Sequence, residues 1–284
     1  MGIVVDEELA FFPCGDSQLA GLLTRPIRPN GIGVVIAWGA GAIPSSGRNR
    51  MRTRLARILA DKGFHALRFD YLGVGESAGE FRQARLSDPY IDEIEAACDW
   101  LRSKGPKRLA IVGNCFGAWS LLQGAPRIQS LVGVAVINSP VRHDHKQAVA
   151  AKRPLRWWLK NIRRVTPSKL RNAGRRAHYR RMVGAKVAAT LGIDRVDTRF
   201  LHAVKGLVDR DLPLLVVYGQ GGFTSEFEAE LLRGLRPVLD KGKARVVIAD
   251  HKLDGYPSLA SQEVVIDTVV NWLEDLAADP DGTR

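Results

Sequence analysis

The residues 113–117, Gly-Asn-Cys-Phe-Gly, combine a reactive thiol with the two glycines that a sharp turn needs. They follow the apolar run "RLAIVG" and precede a helical pattern over 116–124, so the sequence predicts a strand, a turn and a helix. The spacing matches the Gly-x-Ser-x-Gly elbow, in which glycines let strand and helix approach without Cβ clashes. A helix N-terminus would also lower the pKa of the thiol. We therefore interpret Cys115 as a nucleophile and the backbone N–H of Phe116 as an oxyanion donor.

A cysteine nucleophile needs a base, and His251 is the favoured histidine among the six in the chain. It follows the last predicted strand in "VVIADHKLDG", and we expect it in a loop at the carboxyl end of that strand, where open α/β sheets place ligands. His65 lies inside a predicted strand, and the other four histidines lie in a basic segment. The three cysteines show no metal-ligand spacing, so we expect neither a metal nor a cofactor.

Strand and helix patterns alternate along most of the chain, which predicts a mostly parallel sheet with helices on both faces. The first two strands form a hairpin that turns at Gly15 and Asp16. After Pro140 the alternation stops, and it resumes at Pro213 with "LLVVYG". We expect an α/β core formed by residues 1–140 and 211–284, interrupted by a helical cap at 141–210.

The net charge of +12 is concentrated in this insertion. Between Arg142 and Lys186 there are 15 lysines and arginines and one acidic residue, Asp144, so this segment carries +14 and the remaining chain −2. One helical face there carries four cations, which we predict to bind substrate or carrier: Arg156, Lys160, Arg163 and Arg164. Candidate partners are an acidic acyl carrier protein, coenzyme A, an anionic polysaccharide or a membrane surface. A solvated face over an apolar underside is equally consistent with the pattern. We expect no nucleic-acid partner, because no nucleic-acid module accompanies the charge.

The chain resembles the α/β-hydrolase superfamily, and more narrowly its cysteine-nucleophile branch, which includes hydrolases associated with exosortase A. The resemblance rests on the Cys115 elbow, "RFDYLGVGES", "VINSPVR" followed by a basic segment, and "ADHKL" near the end. It implies the α/β-hydrolase fold and an oxyanion loop at residues 38–41, Trp-Gly-Ala-Gly. The backbone N–H of Ala40, next to Gly39, would pair there with that of Phe116.

The chain departs from this family at the catalytic acid. The family's acid usually follows the seventh strand, where this sequence has Gly221 in "YGQGGFTSEF". Asp144, after the sixth strand, and Glu226 are the candidate replacements; a site with no acid is a third alternative. Asp250 and Asp254 flank His251, but adjacency in sequence rarely gives the required geometry. A Cys–His pair can act without a third member, because a thiol ionises more easily than a hydroxyl.

These residues predict an enzyme that cleaves an ester or thioester of a small or carrier-bound acyl substrate through an acyl-cysteine. An acyltransferase that passes the acyl group to an amine or alcohol is one alternative, and a non-catalytic binding protein is another. The N-terminus is acidic where a secretory signal would be basic, and no apolar run approaches the roughly 20 residues of a membrane helix. The sequence therefore predicts a cytoplasmic protein.

Overall fold

The computed structural model describes residues 6–39, 43–141, 180, 183, 198–221, 224, 227–228 and 235–279. The chain divides into two compact units. The first contains Met1–Pro140 and Arg199–Arg284, and the second contains Val141–Thr198. Nearly all of the second unit lies outside the described residues, so the account that follows concerns the first.

Eight strands form one sheet: β1 (Asp6–Cys14), β2 (Ser17–Arg25), β3 (Ile32–Ala37), β4 (His65–Phe69), β5 (Arg108–Asn114), β6 (Leu131–Ile137), β7 (Leu214–Gln220) and β8 (Ala244–Lys252). The described helices are α1 (Met51–Asp61), α2 (Ile91–Ser103), α3 (Phe116–Gly124), α4 (Thr198–Asp209), α5 (Arg236–Leu239) and α6 (Leu259–Ala278).

The strand order is β1-β2-β4-β3-β5-β6-β7-β8. β2 pairs antiparallel with both β1 and β4, and every other described pairing is parallel. The carboxyl ends of β3 to β8 therefore meet at one edge, which we call the carboxyl edge. The predicted hairpin at Gly15 and the predicted mostly parallel sheet are both confirmed.

The core explains why β3 reads as an uninterrupted apolar run: all six of its residues are buried. Alternate residues of β3, such as Ile32 and Val34, pack with Leu55 of α1 and Val265 of α6 on one face of the sheet. Helices α2 and α3 cover the other face. Burial of each such aliphatic side chain contributes about 1.5–3 kcal/mol, so a strand with helices on both faces needs apolar residues throughout.

The predicted end of the insertion, residue 210, differs from the observed boundary. Residues from Arg199 onward belong to the first unit, where they form most of α4. Phe200, Val204 and Leu207 are buried on one face of this helix, and the guanidinium of Arg199 lies 5.4 Å from the centroid of the Trp119 ring. The expectation of a helix was correct, but its apolar face joins the core. None of the described helices combines the length and hydropathy of a membrane span.

Candidate active site

Cys115 occupies the whole turn between β5 and α3, because β5 ends at Asn114 and α3 begins at Phe116. Its backbone has φ 50° and ψ −119°, a conformation that non-glycine residues rarely adopt. The turn is fixed on both sides: the Cys115 N–H donates to the carbonyl of Ile137 at 2.9 Å, and the Trp119 N–H donates to the carbonyl of Cys115 at 3.1 Å. Such strained residues persist where surrounding structure holds them and are concentrated at functional sites.

The two glycines of the elbow are required by close backbone contacts. A Cβ on Gly113 would lie 2.4 Å from Cδ2 of Leu121 and 2.7 Å from Cα of Ala118. A Cβ on Gly117 would lie 2.2 Å from the carbonyl oxygen of Ala37, at the end of β3. The start of α3 therefore rests directly on neighbouring backbone, for the reason that the sequence suggested.

The pKa of the Cys115 thiol is raised, whereas the sequence predicted that it would be lowered. Burial is the largest cause, and the negative charge of Asp254 acts in the same direction. The Phe116 N–H hydrogen-bonds the sulfur and lowers the pKa, but this effect is smaller. The thiol is therefore neutral near pH 7, and a nucleophilic attack requires a group that takes its proton.

The loop that follows β8 brings Asp254 and Tyr256 to the carboxyl edge beside Cys115. Asp254 accepts a hydrogen bond from Nδ2 of Asn138 at 2.7 Å, and its charge acts on Cys115. The buried hydroxyl of Tyr256 accepts a hydrogen bond from Nδ2 of Asn114, the residue before the nucleophile. The sequence analysis set Asp254 aside because it flanks His251 in sequence, and it did not name Tyr256.

Asp254 also fills the space beside Gly221. A Cβ on Gly221 would lie 2.6 Å from Oδ2 of Asp254, so this carboxylate lies where a side chain at position 221 would begin. The family resemblance places the catalytic acid at that position. The signal that could have located Asp254 is therefore the glycine itself, since a missing side chain leaves room for another carboxylate.

His251 does not lie in the expected loop. It is the penultimate residue of β8, because backbone pairing continues past the apolar run to Lys252, which pairs with Gln220 after a register shift. The His251 carbonyl packs against Gly219, 2.3 Å from where a Cβ would lie. No hydrogen bond joins His251 to Cys115, both of which are described, and the charged side chain that acts on Cys115 is Asp254.

The predicted oxyanion loop, residues 38–41, is partly described. Gly39 follows β3 and lies against the nucleophile, since a Cβ on Gly39 would be 3.3 Å from Cβ of Cys115. Ala40, Asp144 and Glu226 lie outside the described residues, as do the predicted cap cations Arg156, Lys160, Arg163 and Arg164. Within the described ranges, no group of three or more His, Cys, Asp or Glu side chains could hold a metal ion.

Comparison with known proteins identifies the family. Residues 40–218, more than half of the chain, match the serine aminopeptidase S33 family. The chain belongs to this family. The matched residues include the elbow at Cys115. The fold is therefore that of an α/β-hydrolase.

One curated relative is an uncharacterized protein of Rickettsia prowazekii, 27% identical over 141 residues, which are 48% of this chain and 57% of the relative. The chain thus spans little more than half the length of this relative.

Three solved structures resemble this chain over nearly its whole length. An esterase of Pyrococcus furiosus has a TM-score of 0.64 at 15% identity and covers 95% of this chain and 91% of its own.

A proline iminopeptidase of Mycobacterium smegmatis has a TM-score of 0.57 at 19% identity, covering 96% of this chain and 100% of its own. A dienelactone hydrolase of Anabaena variabilis has a TM-score of 0.57 at 15% identity, covering 95% of this chain and 98% of its own. At these identities the likeness establishes the fold, and substrates are not transferred from it.

We expect Gly117→Ala to lower the free energy of unfolding by about 1–3 kcal/mol or more, because the new methyl group would overlap the Ala37 carbonyl. Gly206→Ala is the matched control: this helical glycine has no atom within 4 Å of an added Cβ. There alanine should stabilise the protein by about 0.5–1 kcal/mol. Urea unfolding of both variants measures the difference. Equal effects would show that α3 does not rest on β3.

Asp254→Asn should lower the pKa of Cys115, because it removes a negative charge that disfavours the thiolate. Alkylation by iodoacetamide, followed by mass spectrometry from pH 6 to 10, should become faster at each pH below the wild-type pKa. Cys98 is fully buried, and burial raises the pKa of Cys14 to about 11, so both serve as internal controls for slow labelling. An unchanged pH profile would contradict the proximity of Asp254 to the sulfur.

Proposed function

We propose that the protein is an acyl hydrolase in which Cys115 forms an acyl-cysteine from an ester or thioester. The observation that carries this proposal is the strained turn at Cys115, with the Phe116 N–H directed at its sulfur. In the cysteine-nucleophile branch that the sequence resembles, this is the position of the nucleophile. The hydrolase family of the chain supports the reaction class.

In the proposed reaction Cys115 Sγ attacks the carbonyl carbon, and the thiol proton passes to a base. The N–H of Phe116, with that of Ala40, stabilises the negative charge on the carbonyl oxygen. Collapse of this intermediate expels the thiol or alcohol, which takes the proton back from the base. Water then releases the carboxylic acid by the same steps. A thioester is the favoured substrate, because its attack by Cys115 exchanges one thioester for another at little cost in free energy.

The proposed base is His251, because an imidazole has a pKa closer to that of a thiol than a carboxylate has. It lies at the carboxyl end of β8, two residues before the loop that carries Asp254. Catalytic hydrogen bonds are often absent without substrate and form in the complex. We propose Asp254 as the acid that stabilises the imidazolium, because its carboxylate fills the space beside Gly221.

The same acyl-cysteine would serve an acyltransferase, which passes the acyl group to an amine or alcohol rather than to water. The proposed partners of the basic segment, an acyl carrier protein or coenzyme A, suit both reactions. A cytoplasmic location is part of the proposal, since both partners occur there. If Cys115 is unreactive, the remaining alternative is a binding protein.

Incubation with an activated acyl thioester should add the mass of one acyl group to Cys115, detected by intact-protein and peptide mass spectrometry. Cys115→Ala should abolish the adduct, whereas Cys98→Ala should retain it. Absence of the adduct across short and long acyl chains would overturn the enzymatic proposal and favour the binding protein. The product mass in the presence of added amines and alcohols then separates transfer from hydrolysis.

His251→Gln should slow acylation by at least about a hundredfold, since general base catalysis contributes roughly 10²–10⁴-fold. Asp254→Asn should slow it less and shift its pH dependence. Asp144→Asn and Glu226→Gln are matched controls, because both were predicted as acids from sequence. If Asp254→Asn abolishes acylation and His251→Gln does not, the carboxylate itself takes the proton and the proposed base is wrong. If Asp144→Asn or Glu226→Gln has the larger effect, Asp254 is not the acid.

A further inference from the structure

Arg52 is a buried cation with no hydrogen-bond or ion-pair partner in the described part of the chain. It is the second residue of α1 and is 5% exposed. Its Nε is enclosed and makes no hydrogen bond, and its guanidinium forms no ion pair among the described residues. Gly47 lies directly against this atom, since a Cβ on Gly47 would be 2.8 Å from it. Burial lowers the pKa of Arg52 to about 10, because no hydrogen bond or ion pair replaces the lost solvation of the charge.

The carboxylate that acts electrostatically on Arg52 forms no ion pair with it. Asp70 is buried and has an electrostatic effect on Arg52, but it accepts hydrogen bonds from the backbone N–H groups of Ser45 and Glu76 instead. Arg68 lies close enough to add further positive charge. A buried charge of this kind is normally paired and hydrogen-bonded, so the arrangement is incomplete without another group.

A second unsatisfied donor lies beside the first. The hydroxyl of Tyr71 is buried and has no hydrogen-bond partner, and Tyr71 and Arg52 lie close enough for each to shift the pKa of the other. Native proteins pair nearly all such buried atoms. A guanidinium and a phenolic O–H both donate hydrogen bonds, so one anionic group with several oxygens would satisfy both.

Aromatic rings connect this pair to the nucleophile. The ring centroids of Tyr71 and Tyr90 are 4.9 Å apart. Those of Tyr90 and Phe116, the residue after Cys115, are 4.8 Å apart. Tyr71 follows β4 and Cys115 follows β5, with β3 between them. Two strand spacings separate them by about 10 Å along the carboxyl edge.

A second set of aromatic rings also connects Arg52 to the nucleophile. The Arg52 guanidinium lies 5.8 Å from the centroid of the Trp38 ring. The ring centroids of Trp38 and Tyr256 are also 5.8 Å apart. The Tyr256 hydroxyl accepts a hydrogen bond from Asn114, the residue before Cys115. Arg52 and the nucleophile therefore belong to one continuous cluster of side chains.

We propose that Arg52 and Tyr71 form a subsite for an anionic oxygen group of the substrate, a carboxylate or a phosphate, several bonds from the carbonyl that Cys115 attacks. This inference rests on the proposed function and adds a substrate class to it. The carboxylate would be on the acyl chain, and the phosphate on the thiol that leaves. The two sources share the same recognition chemistry, and substrates of each kind distinguish them.

Two pairs of thioesters test the proposal. The first pair is glutaryl and pentanoyl N-acetylcysteamine, which differ in a terminal carboxylate. The second is butyryl pantetheine with and without its 4′-phosphate. We expect kcat/KM for formation of the Cys115 adduct to favour the charged member of at least one pair by about tenfold or more, since hydrogen bonds to charged groups are the stronger ones.

Arg52→Gln should bring that ratio close to one while acylation by the neutral member stays within about threefold. Its melting temperature should not fall, because the variant removes a buried unpaired charge. Tyr71→Phe should reduce the ratio without loss of stability, since it removes only an unsatisfied hydroxyl. Arg57→Gln is the control: it removes another arginine of α1, one that pairs with Glu7 at 2.8 Å and is not among the groups that act on Arg52, and should keep the ratio.

Equal rates within both pairs, with adducts still formed, would overturn the subsite and leave the proposed function intact. A ratio that survives in Arg52→Gln would do the same. If no thioester forms an adduct, the subsite is tested in Cys115→Ala protein by its melting temperature with glutarate or inorganic phosphate. An increase that Arg52→Gln abolishes supports the subsite, and no increase with either anion overturns it.

Discussion

The site depends on one steric constraint: the backbone of α3 rests on the end of β3. Gly117 meets the carbonyl of Ala37 and Gly113 meets α3, so neither position has room for a side chain. This contact forces the chain to reverse within the single residue Cys115, whose strained backbone is held by Ile137 and Trp119. The sulfur is thereby held in one position by rigid elements on both sides of the turn.

Charge is distributed unevenly along the carboxyl edge around this fixed sulfur. The carboxylate of Asp254 acts on Cys115 from the β8 loop, whereas the guanidinium of Arg52 lies beyond Trp38 on the β4 side. Burial keeps the thiol protonated in the free protein. A neutral, enclosed thiol is protected from oxidation, because oxidation proceeds through the thiolate.

Local patterns predicted the order of strands and helices and the glycine-flanked turn, since both depend on residues close together in sequence. The position of His251 was wrong because the apolar pattern of β8 stops at Ala249 while backbone pairing continues through polar residues to Lys252. The predicted insertion runs to residue 210, whereas residues from Arg199 onward group with the first unit, since the sequence shows the apolar face of α4 but not which unit buries it. The pKa of Cys115 was assigned the opposite direction, because a sequence shows the helix N-terminus but not the burial of the sulfur. Asp254 and the Arg52–Tyr71 pair depend on contacts between segments that are far apart in sequence, which no local pattern encodes.

The pairing of Gly221 with Asp254 separates the location of a carboxylate from its place in the chain. By the resemblance stated above, the acid expected after β7 is replaced in this sequence by Gly221. In three dimensions the volume is occupied, by a side chain delivered from the neighbouring strand's loop and anchored by Asn138. A carboxylate can thus occupy the space beside one loop while its residue belongs to the next loop along the sheet. Families that have exchanged such positions are better sorted by what fills each volume than by which letter stands in each column.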